Sequence, residues 1–590
     1  MKLFNKIAIA VLTVCSMSAC TEYAEPGYYE SADVDFTYNV EGDEYLLDFY
    51  VVSTIQFNNT SAKDGNFTWD FGDDTPKSTE KNPTHKYETA GNYEVTLTLE
   101  GVGTRTYPIM IYDIAPVLSV ATQSTEFVEY GTTEITFNIE LPNPENLPVR
   151  YEWTFPDGTL RASDGTEMPT HFIGEAKMDE NGEYKIEYPE PVKFQNIGSQ
   201  RVDIQTYFNT AEGGEPRRLA DAYLNVQVCV AEPAPTIYYA QRGGNIKALK
   251  LLDEVPEGVK VKPYDLGVPT GATVLTLLCN TVTSKPDEDG NVTSQDWVYI
   301  LDAGKQFTYV NDEGGVLGDG QMTAMKADGT GVNVVVTNVG QPAFNDPYRG
   351  FILNDVIYYS DRNTGYTKID CTTRGAVEGI GDSNRRASYV SINESTPFYG
   401  RGITWGAVTY GIYKDKKGYW WEGKSGNGKG IFRYKDSDIY ATQAEAAAHE
   451  VPSTVLCSNL SAPTCFAVDE ERSVYYVYDA ILSKFMQMPF EEYKIPDGQK
   501  LQGELFSKVI SASQDNTVSN LNEGIFISQM AVDSETGKVF FCFRPSASDA
   551  SGLKAGIVMF DPATKTLSNY GDTSDLGTGI VINPTKTKLF

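Results

Sequence analysis

Residues Cys465–Phe490 read CFAVDEERSVYYVYDAILSKFMQMPF. A short apolar run, Cys465 to Val468, meets an acidic turn at Asp469, Glu470 and Glu471. An aromatic, β-branched run follows from Val474 to Tyr478, then a polar turn and a third run, Ser483 to Met488. Aromatic and β-branched residues suit a pleated, half-buried surface, and the acidic turn suits a hairpin. The cadence returns as MAVDSETGKVFFCF in Met530–Phe543 and as FILNDVIYYSDRNTGYTKID in Phe351–Asp370, with weaker copies at Trp297–Val310 and Thr236–Leu251. The second strands of these units align near Tyr238, Val298, Ile357, Tyr419, Tyr475 and Phe540, at spacings of 56 to 65 residues. Sheet-forming units at a near-constant period predict an array or a ring. Several short strands per period favour a β-propeller.

The 590 residues hold 80 acidic and 48 basic side chains, a formal net charge of −32. That balance argues against nucleic acid as a partner, since phosphate binding relies on Lys and Arg; solubility is the plainer reading of the acidity. No long apolar run follows residue 20, so no transmembrane helix is expected.

The N-terminus reads as a targeting segment. Lys2 and Lys6 precede an apolar core, Ile7 to Val14, and Met17-Ser18-Ala19-Cys20 resembles a bacterial lipobox. The resemblance implies a signal peptide over 1–19, cleavage before Cys20, acylation of Cys20 and a tether over 20–34; the alternative is ordinary secretion with Cys20 unmodified. Thr21 after the cysteine resembles outer-membrane sorting, and Glu22 and Glu25 resemble an acidic surface-export tag. Among the other cysteines, Cys229, Cys279, Cys371, Cys457, Cys465 and Cys542 show no metal-ligand spacing. They read as small core hydrophobes, although export permits disulfides.

Residues 35–114 read as a β-sandwich. Trp69-Asp70-Phe71-Gly72-Asp73-Asp74, Asn82-Pro83-Thr84-His85-Lys86-Tyr87 and the closing strand Gly91, Tyr93, Val95, Leu97 resemble the PKD domain family in order and spacing. The departure is Asp74, where the family has glycine. Trp69 and Phe71 alternate onto one face of a strand. Asp73 and Asp74 could hold calcium or cap the turn through their own side chains. Residues 115–231 carry the echo Tyr151-Glu152-Trp153-Thr154-Phe155-Pro156-Asp157-Gly158 and read as a second, diverged PKD-like or Ig-like sandwich. The insertion Met168–Tyr188 has no counterpart in the first unit.

Glu232-Pro233-Ala234-Pro235 is a hinge, and residues 236–590 are the propeller. Val356–Asp361 and Ser473–Asp479 resemble second strands of NHL and YWTD propellers. Thr236–Ala240 reads as a second strand lacking its predecessor, and Gly579–Pro584 reads as an innermost strand at which the chain ends. The two ends are expected to complete one blade and close the ring. Six blades fit the anchors; a seventh would have to lie within Leu249–Thr281 or Ile403–Asp436. Residues 443–449 form a helical patch, placed in an inter-strand loop.

The fold class is therefore all-β. Three histidines, His85, His171 and His449, leave little for a metal centre or a Ser-His-Asp site in the propeller. No GxSxG, HExxH or P-loop is present, and no cofactor or metal is implied. The Asp287-Glu288-Asp289-Gly290-Asn291 loop lacks the distal glutamate of an EF-hand. The binding candidates are aromatic: Tyr399, Trp405, Tyr419, Trp420 and Trp421, with Tyr348, Arg349 and Arg401 in loop-like segments. Exposed rings stack on sugar faces or peptide side chains; the plainer reading is packing between sheets. Trp420 and Trp421, as neighbours on a strand, point to opposite faces, so one is expected packed and the other accessible.

Lipobox, PKD-type sandwiches and a C-terminal propeller together resemble PKD-like surface lipoproteins of gut anaerobes. That resemblance implies a lipid-anchored protein of the outer membrane, facing outwards. It would capture a glycan or peptide nutrient, or dock on a Sus-type TonB-dependent importer and its lid lipoprotein. The alternatives are a propeller glycan hydrolase or lyase using two carboxylates, and an adhesin.

Overall fold

The computed structural model describes residues 33–590 apart from 43–48, 123–126, 144, 187–189, 210–215, 285, 305–319, 338–346, 362–364, 371–388, 392–398, 401–408, 425–429, 436–438, 441–453, 459–462, 481, 491–505, 511–526 and 528. Among the described residues every regular element is a strand, and no helix is long and apolar enough to cross a membrane. The expected signal peptide, Cys20, the 443–449 patch and Cys371 lie outside the described residues.

In the first sandwich, Phe36–Val40, Ile55–Asn59 and Thr84–His85 form one sheet, and Phe67–Asp70, Gly91–Leu99 and Gly103–Ile111 the other. Alternation sends Phe67, Trp69, Val95, Leu97 and Leu99 inwards. Trp69 is fully buried, 5.0 Å from the Phe36 ring and 5.7 Å from Phe57.

The second sandwich pairs His171–Glu175, Val149–Thr154, Gly198–Phe208, Ala222–Cys229 and Val128–Glu129 in one sheet, and Thr159–Arg161, Val192–Phe194, Ile135–Glu140 and Val117–Thr122 in the other. Trp153 and Phe155 enter its core together. The 168–188 insertion supplies the edge strand His171–Glu175 and a hairpin, Lys177–Met178 with Tyr184–Lys185.

The C-terminal region holds six four-stranded antiparallel sheets among the described residues. In order from the inside, they are Gly577–Thr587, Ala234–Gln241, Asn245–Lys250 and Tyr264–Pro269 (first); Val274–Thr283, Ser294–Asp302, Gln321–Lys326 and Asn333–Thr337 (second); Pro347–Leu353, Val356–Asp361, Gly365–Asp370 and Tyr389–Ser391 (third). Then come Thr409–Lys414, Tyr419–Lys424, Gly430–Lys435 and Thr454–Ser458 (fourth); Pro463–Asp469, Val474–Asp479, Lys484–Pro489 and Phe506–Val509 (fifth); Met530–Val532, Val539–Phe543, Gly556–Asp561 and Thr566–Tyr570 (sixth). Each inner strand neighbours the next, and that of the sixth sheet returns to that of the first, giving a propeller-like ring. The two ends of the C-terminal region meet as expected: Ile237 pairs with Ile582, Tyr238 with Val581 and Tyr239 with Ile580.

The three parts join without a gap. Val149, Phe208 and Leu219 of the second sandwich belong to the apolar core of the first. Ile197 and Val230 belong to a core shared with Ile237 and Leu249 of the first sheet and with Val261, just before its outer strand. Main-chain bonds cross that junction, Ile197 N to Lys260 O at 3.0 Å and Lys262 N to Ile197 O at 2.8 Å. Gly198 follows with φ +103°, and a Cβ there would lie 1.9 Å from Lys262 O, so only glycine permits this approach.

Lys250 lies at the closure with 0 % exposure. Its Nζ lies within hydrogen-bonding distance of Ala234 O at 2.6 Å, Thr236 Oγ1 at 2.9 Å and Thr587 Oγ1 at 3.0 Å. It thereby links the two innermost strands of the first sheet. Burial lowers its pKa from 10.5 to about 7. Between those values the unfolded chain carries the proton that the folded chain has lost, so this group makes stability rise with pH. Below about 7 both states are protonated and the dependence vanishes. Denaturant unfolding of the wild type and Lys250→Met at stepped pH is expected to show their stability difference moving in favour of the wild type by roughly 1 kcal/mol per pH unit between 7 and 10. A difference that is flat over that window would mean the amine stays charged against its three oxygens.

Candidate functional site

The inner strands of the six sheets enclose a cavity of about 310 Å³ on the ring axis, with Leu277, Arg349, Ile412, Phe466, Met530 and Ile580 each lining it from a different sheet. An innermost strand is a sheet edge, so half of its main-chain N–H and C=O groups face the cavity instead of a partner strand. Gly411 lets the fourth sheet approach the fifth, because a Cβ there would lie 2.4 Å from the Phe466 ring.

Gln529 and Arg349 are among the residues that line this space. Gln529, half-buried and placed just before Met530, accepts from Leu277 N and Ile580 N at 2.9 Å each through Oε1 and donates to Leu277 O at 2.8 Å through Nε2. Its amide therefore ties the sixth sheet to the first and the second. Arg349 is buried at 6 % exposure, and its Nη1 donates to Leu275 O at 3.2 Å. Cys279 also lines the cavity. Burial pushes its thiol up to about 12, so it stays protonated and unreactive near neutral pH. Among the described residues no group of three His, Cys, Asp or Glu side chains gathers as a metal site would.

Of the aromatic and cationic candidates, Arg349 faces the cavity. Tyr348 and Tyr399 lie on strands, but their side chains fall outside the described residues, as do Arg401 and Trp405 altogether. Trp420 and Trp421 take opposite faces, yet neither is accessible. Trp420 is 3 % exposed, with its ring 5.5 Å from Tyr358 and 5.9 Å from Phe351 of the third sheet. Trp421 is fully buried, 4.8 Å from Phe490 and 5.5 Å from Tyr475 of the fifth. The expectation of one exposed tryptophan fails because a sheet inside a ring is covered on both faces.

Tyr419 is half-buried beneath Arg433, whose Cζ stands 4.0 Å from the ring centre. Arg433 Nη2 and Trp421 Nε1 each reach Asp415 Oδ2 at 2.9 Å, and Asp415 Oδ1 accepts from Lys417 N and Tyr419 N at 3.0 and 2.9 Å. The aspartate caps its own hairpin while holding an arginine between aromatic rings. This group cements the fourth and fifth sheets; it is not a stacking platform.

The first-sandwich loop is likewise tied internally. Asp73 Oδ2 lies 2.7 Å from His85 Nε2, and Oδ1 accepts from Thr75 N and Oγ1 at 3.2 and 2.6 Å. Burial opposes ionisation of Asp73, but the Thr75 and His85 bonds outweigh it and hold the carboxyl below its usual value. The His85 ring stacks flat on Phe71 at 4.0 Å. Asp74 sits at φ 61°, the left-handed region where the family's glycine is at ease. Asp73 thus serves the turn through its side chain and Asp74 through its backbone conformation, and among the described residues no three His, Cys, Asp or Glu side chains gather there.

Gln529 was not singled out by the sequence reading, though a signal existed. Aligning Asp469 with Asp533 sets Gln529 opposite Cys465, a polar residue where the repeat has a small apolar one.

A family model described as a PKD domain matches residues 50–107. No curated protein matches the chain. Among solved structures, a nidogen/laminin complex is 12% identical with TM-score 0.35, over 59% of this chain and 98% of that one. A putative 6-phosphogluconolactonase from Bacteroides fragilis is 12% identical with TM-score 0.32, over 60% and 98%. The periplasmic gluconolactonase of Pseudomonas aeruginosa is 10% identical with TM-score 0.29, over 57% and 81%.

Removing a ring from the cement between sheets leaves a cavity. Trp421→Ala is expected to cost about 3–5 kcal/mol in denaturant unfolding. A Trp421→Ala protein as stable as the wild type would place the tryptophan outside the core.

Proposed function

We propose that the chain is a non-enzymatic, lipid-anchored protein of the outer-membrane surface. Acylated Cys20 holds it, two sandwiches form an arm, and the ring captures a nutrient oligomer, glycan or peptide, or seats on a Sus-type TonB-dependent importer as an accessory subunit. In this reading the six sheets are the blades of a complete six-bladed ring. The second sandwich is a diverged PKD-like domain, with Trp153 and Phe155 standing for Trp69 and Phe71.

The observation that carries the reading is the continuity of the arm. Shared apolar cores run from the first sandwich into the second and from the second into the ring. Arg217 Nη1 adds an ion pair to Glu88 at 3.1 Å across the first junction. An enzyme that works free in solution has no need of such an arm; a module held at a fixed distance from a membrane does. The axial cavity offers apolar side chains and main-chain hydrogen-bonding groups, which supply shape and orientation for a ligand.

The test is recovery of the native protein from detergent-solubilised outer membrane, with its partners identified by mass spectrometry. A TonB-dependent importer and its lid lipoprotein are expected to co-purify, and Cys20→Ser is expected to move the chain into the soluble fraction. Isolation without partners, together with blank glycan and peptide arrays, would sink the proposal.

A further inference from the structure

We infer that two copies of this chain pair edge to edge through the strand His171–Glu175 of the second sandwich, antiparallel, with a two-fold axis at Ile173. The inference does not depend on what the ring binds. This strand ends its sheet: among the described residues it pairs only with Val149–Thr154. Beyond the two ends of that pairing, Phe155 N donates to Thr170 O and Ala176 N donates to Val149 O. Bonded positions alternate along an antiparallel ladder, so Phe172 and Gly174 turn their main-chain groups towards the partner strand. The N–H and C=O groups of His171, Ile173 and Glu175 therefore point away from the sheet, along its free edge. All three residues are exposed, Ile173 at 55 %. The strand carries no Lys, no Pro and no register shift, the devices that ordinarily discourage edge pairing.

A second copy is the occupant because His171-Phe172-Ile173-Gly174-Glu175 is complementary to its own reverse. Centred on Ile173, an antiparallel pair sets His171 of each copy opposite Glu175 of the other, and Ile173 opposite Ile173. Opposed residues share a face, so each imidazole meets a carboxylate and the two isoleucines cover one another. On the other face, Phe172 comes opposite Gly174. A Cβ on Gly174 would lie 2.5 Å from the Tyr151 ring of its own sheet, so this position stays bare, and the Phe172 ring of the second copy can lie across it. The outward main-chain groups then exchange hydrogen bonds at all three facing pairs. A slip of two residues would set His171 against Ile173, or Ile173 against Glu175, and lose the charge matches, so one register is specified. The contact is isologous and closes at two copies.

The experiment uses the full chain with Ile173→Cys. On the two-fold axis the facing Cα atoms stand about 5.5 Å apart, within reach of a disulfide. Mild oxidation is expected to link two chains through the introduced thiols, in a yield about tenfold above that of Tyr223→Cys. Tyr223 is also exposed but lies on an inner strand of the same sheet. Added to Ile173→Cys, His171→Glu sets like charges opposite each other at both ends of the pair and is expected to lower the yield about tenfold. Adding Glu175→Lys as well restores opposite charges and is expected to restore the linkage. The two positions lie about 13 Å apart along one strand, so that rescue cannot arise within a single chain. Equal linkage from Ile173→Cys and Tyr223→Cys overturns the inference, as does a charge-swapped chain that links no better than the His171→Glu chain. The comparison of Ile173→Cys with Tyr223→Cys decides the matter even where the charge variants do not fold.

Discussion

The ring depends on one pairing, that of Ala234–Gln241 with Gly577–Thr587. Without it the first sheet has no inner strand, and the ring has two open edges able to pair with other chains. The strand that closes the ring also locks the arm. Lys588 Nζ lies 3.0 Å from Glu129, Val230 N donates to Lys588 O at 3.2 Å, and Phe590 packs edge-on against Tyr264 at 5.2 Å. The hydroxyl of Tyr264 in turn donates to Val228 O of the second sandwich. Closure and attachment are one structural event, carried by the last dozen residues.

Closure dictates what the sheets must be. Each is sandwiched between two others, so both of its faces are apolar and rings fill the gaps between sheets. The first hairpin turns then tie neighbour to neighbour. Glu470 accepts from Lys416 N at 2.8 Å, Arg472 Nη2 donates to Glu535 O at 2.8 Å, and Lys586 pairs with Glu535 at 3.0 Å. Asp415, Asp469 and Asp533 recur at the end of the inner strand because each receives main-chain N–H groups of its own turn. The acidic character of these turns is a folding requirement before it is a surface charge.

This division explains what could be read from the sequence. Strand, acidic turn and strand are local, so all six anchors, from Tyr238 to Phe540, fall in the second strands of their sheets. The Trp69 motif is local too, with its ring alternating inwards and its turn held by Asp73. Accessibility is not local. Trp420 and Trp421 obey strand alternation, but alternation predicts one buried face only for a sheet with a free side, and the ring leaves none. Gln529 was hidden for the same reason. Its partners, Leu277 and Ile580, lie 252 and 51 residues away in sequence and become neighbours only when the ring shuts.

If the ring captures a ligand as proposed, a cavity walled by strand edges also accounts for the silence of the sequence about that ligand. Recognition by catalytic or metal-binding side chains leaves residue types at telling spacings. Recognition by main-chain N–H and C=O groups leaves none, since every residue but proline carries both. What such a wall fixes is geometry: the reach between Leu277 and Ile580, the close approach of Gly411 to the Phe466 ring, the guanidinium of Arg349 along the same edge. Those distances hold only while the six inner strands keep their places. The stiffness of the ring, the buried tryptophans and the closing strand therefore serve the cavity as directly as the residues that line it.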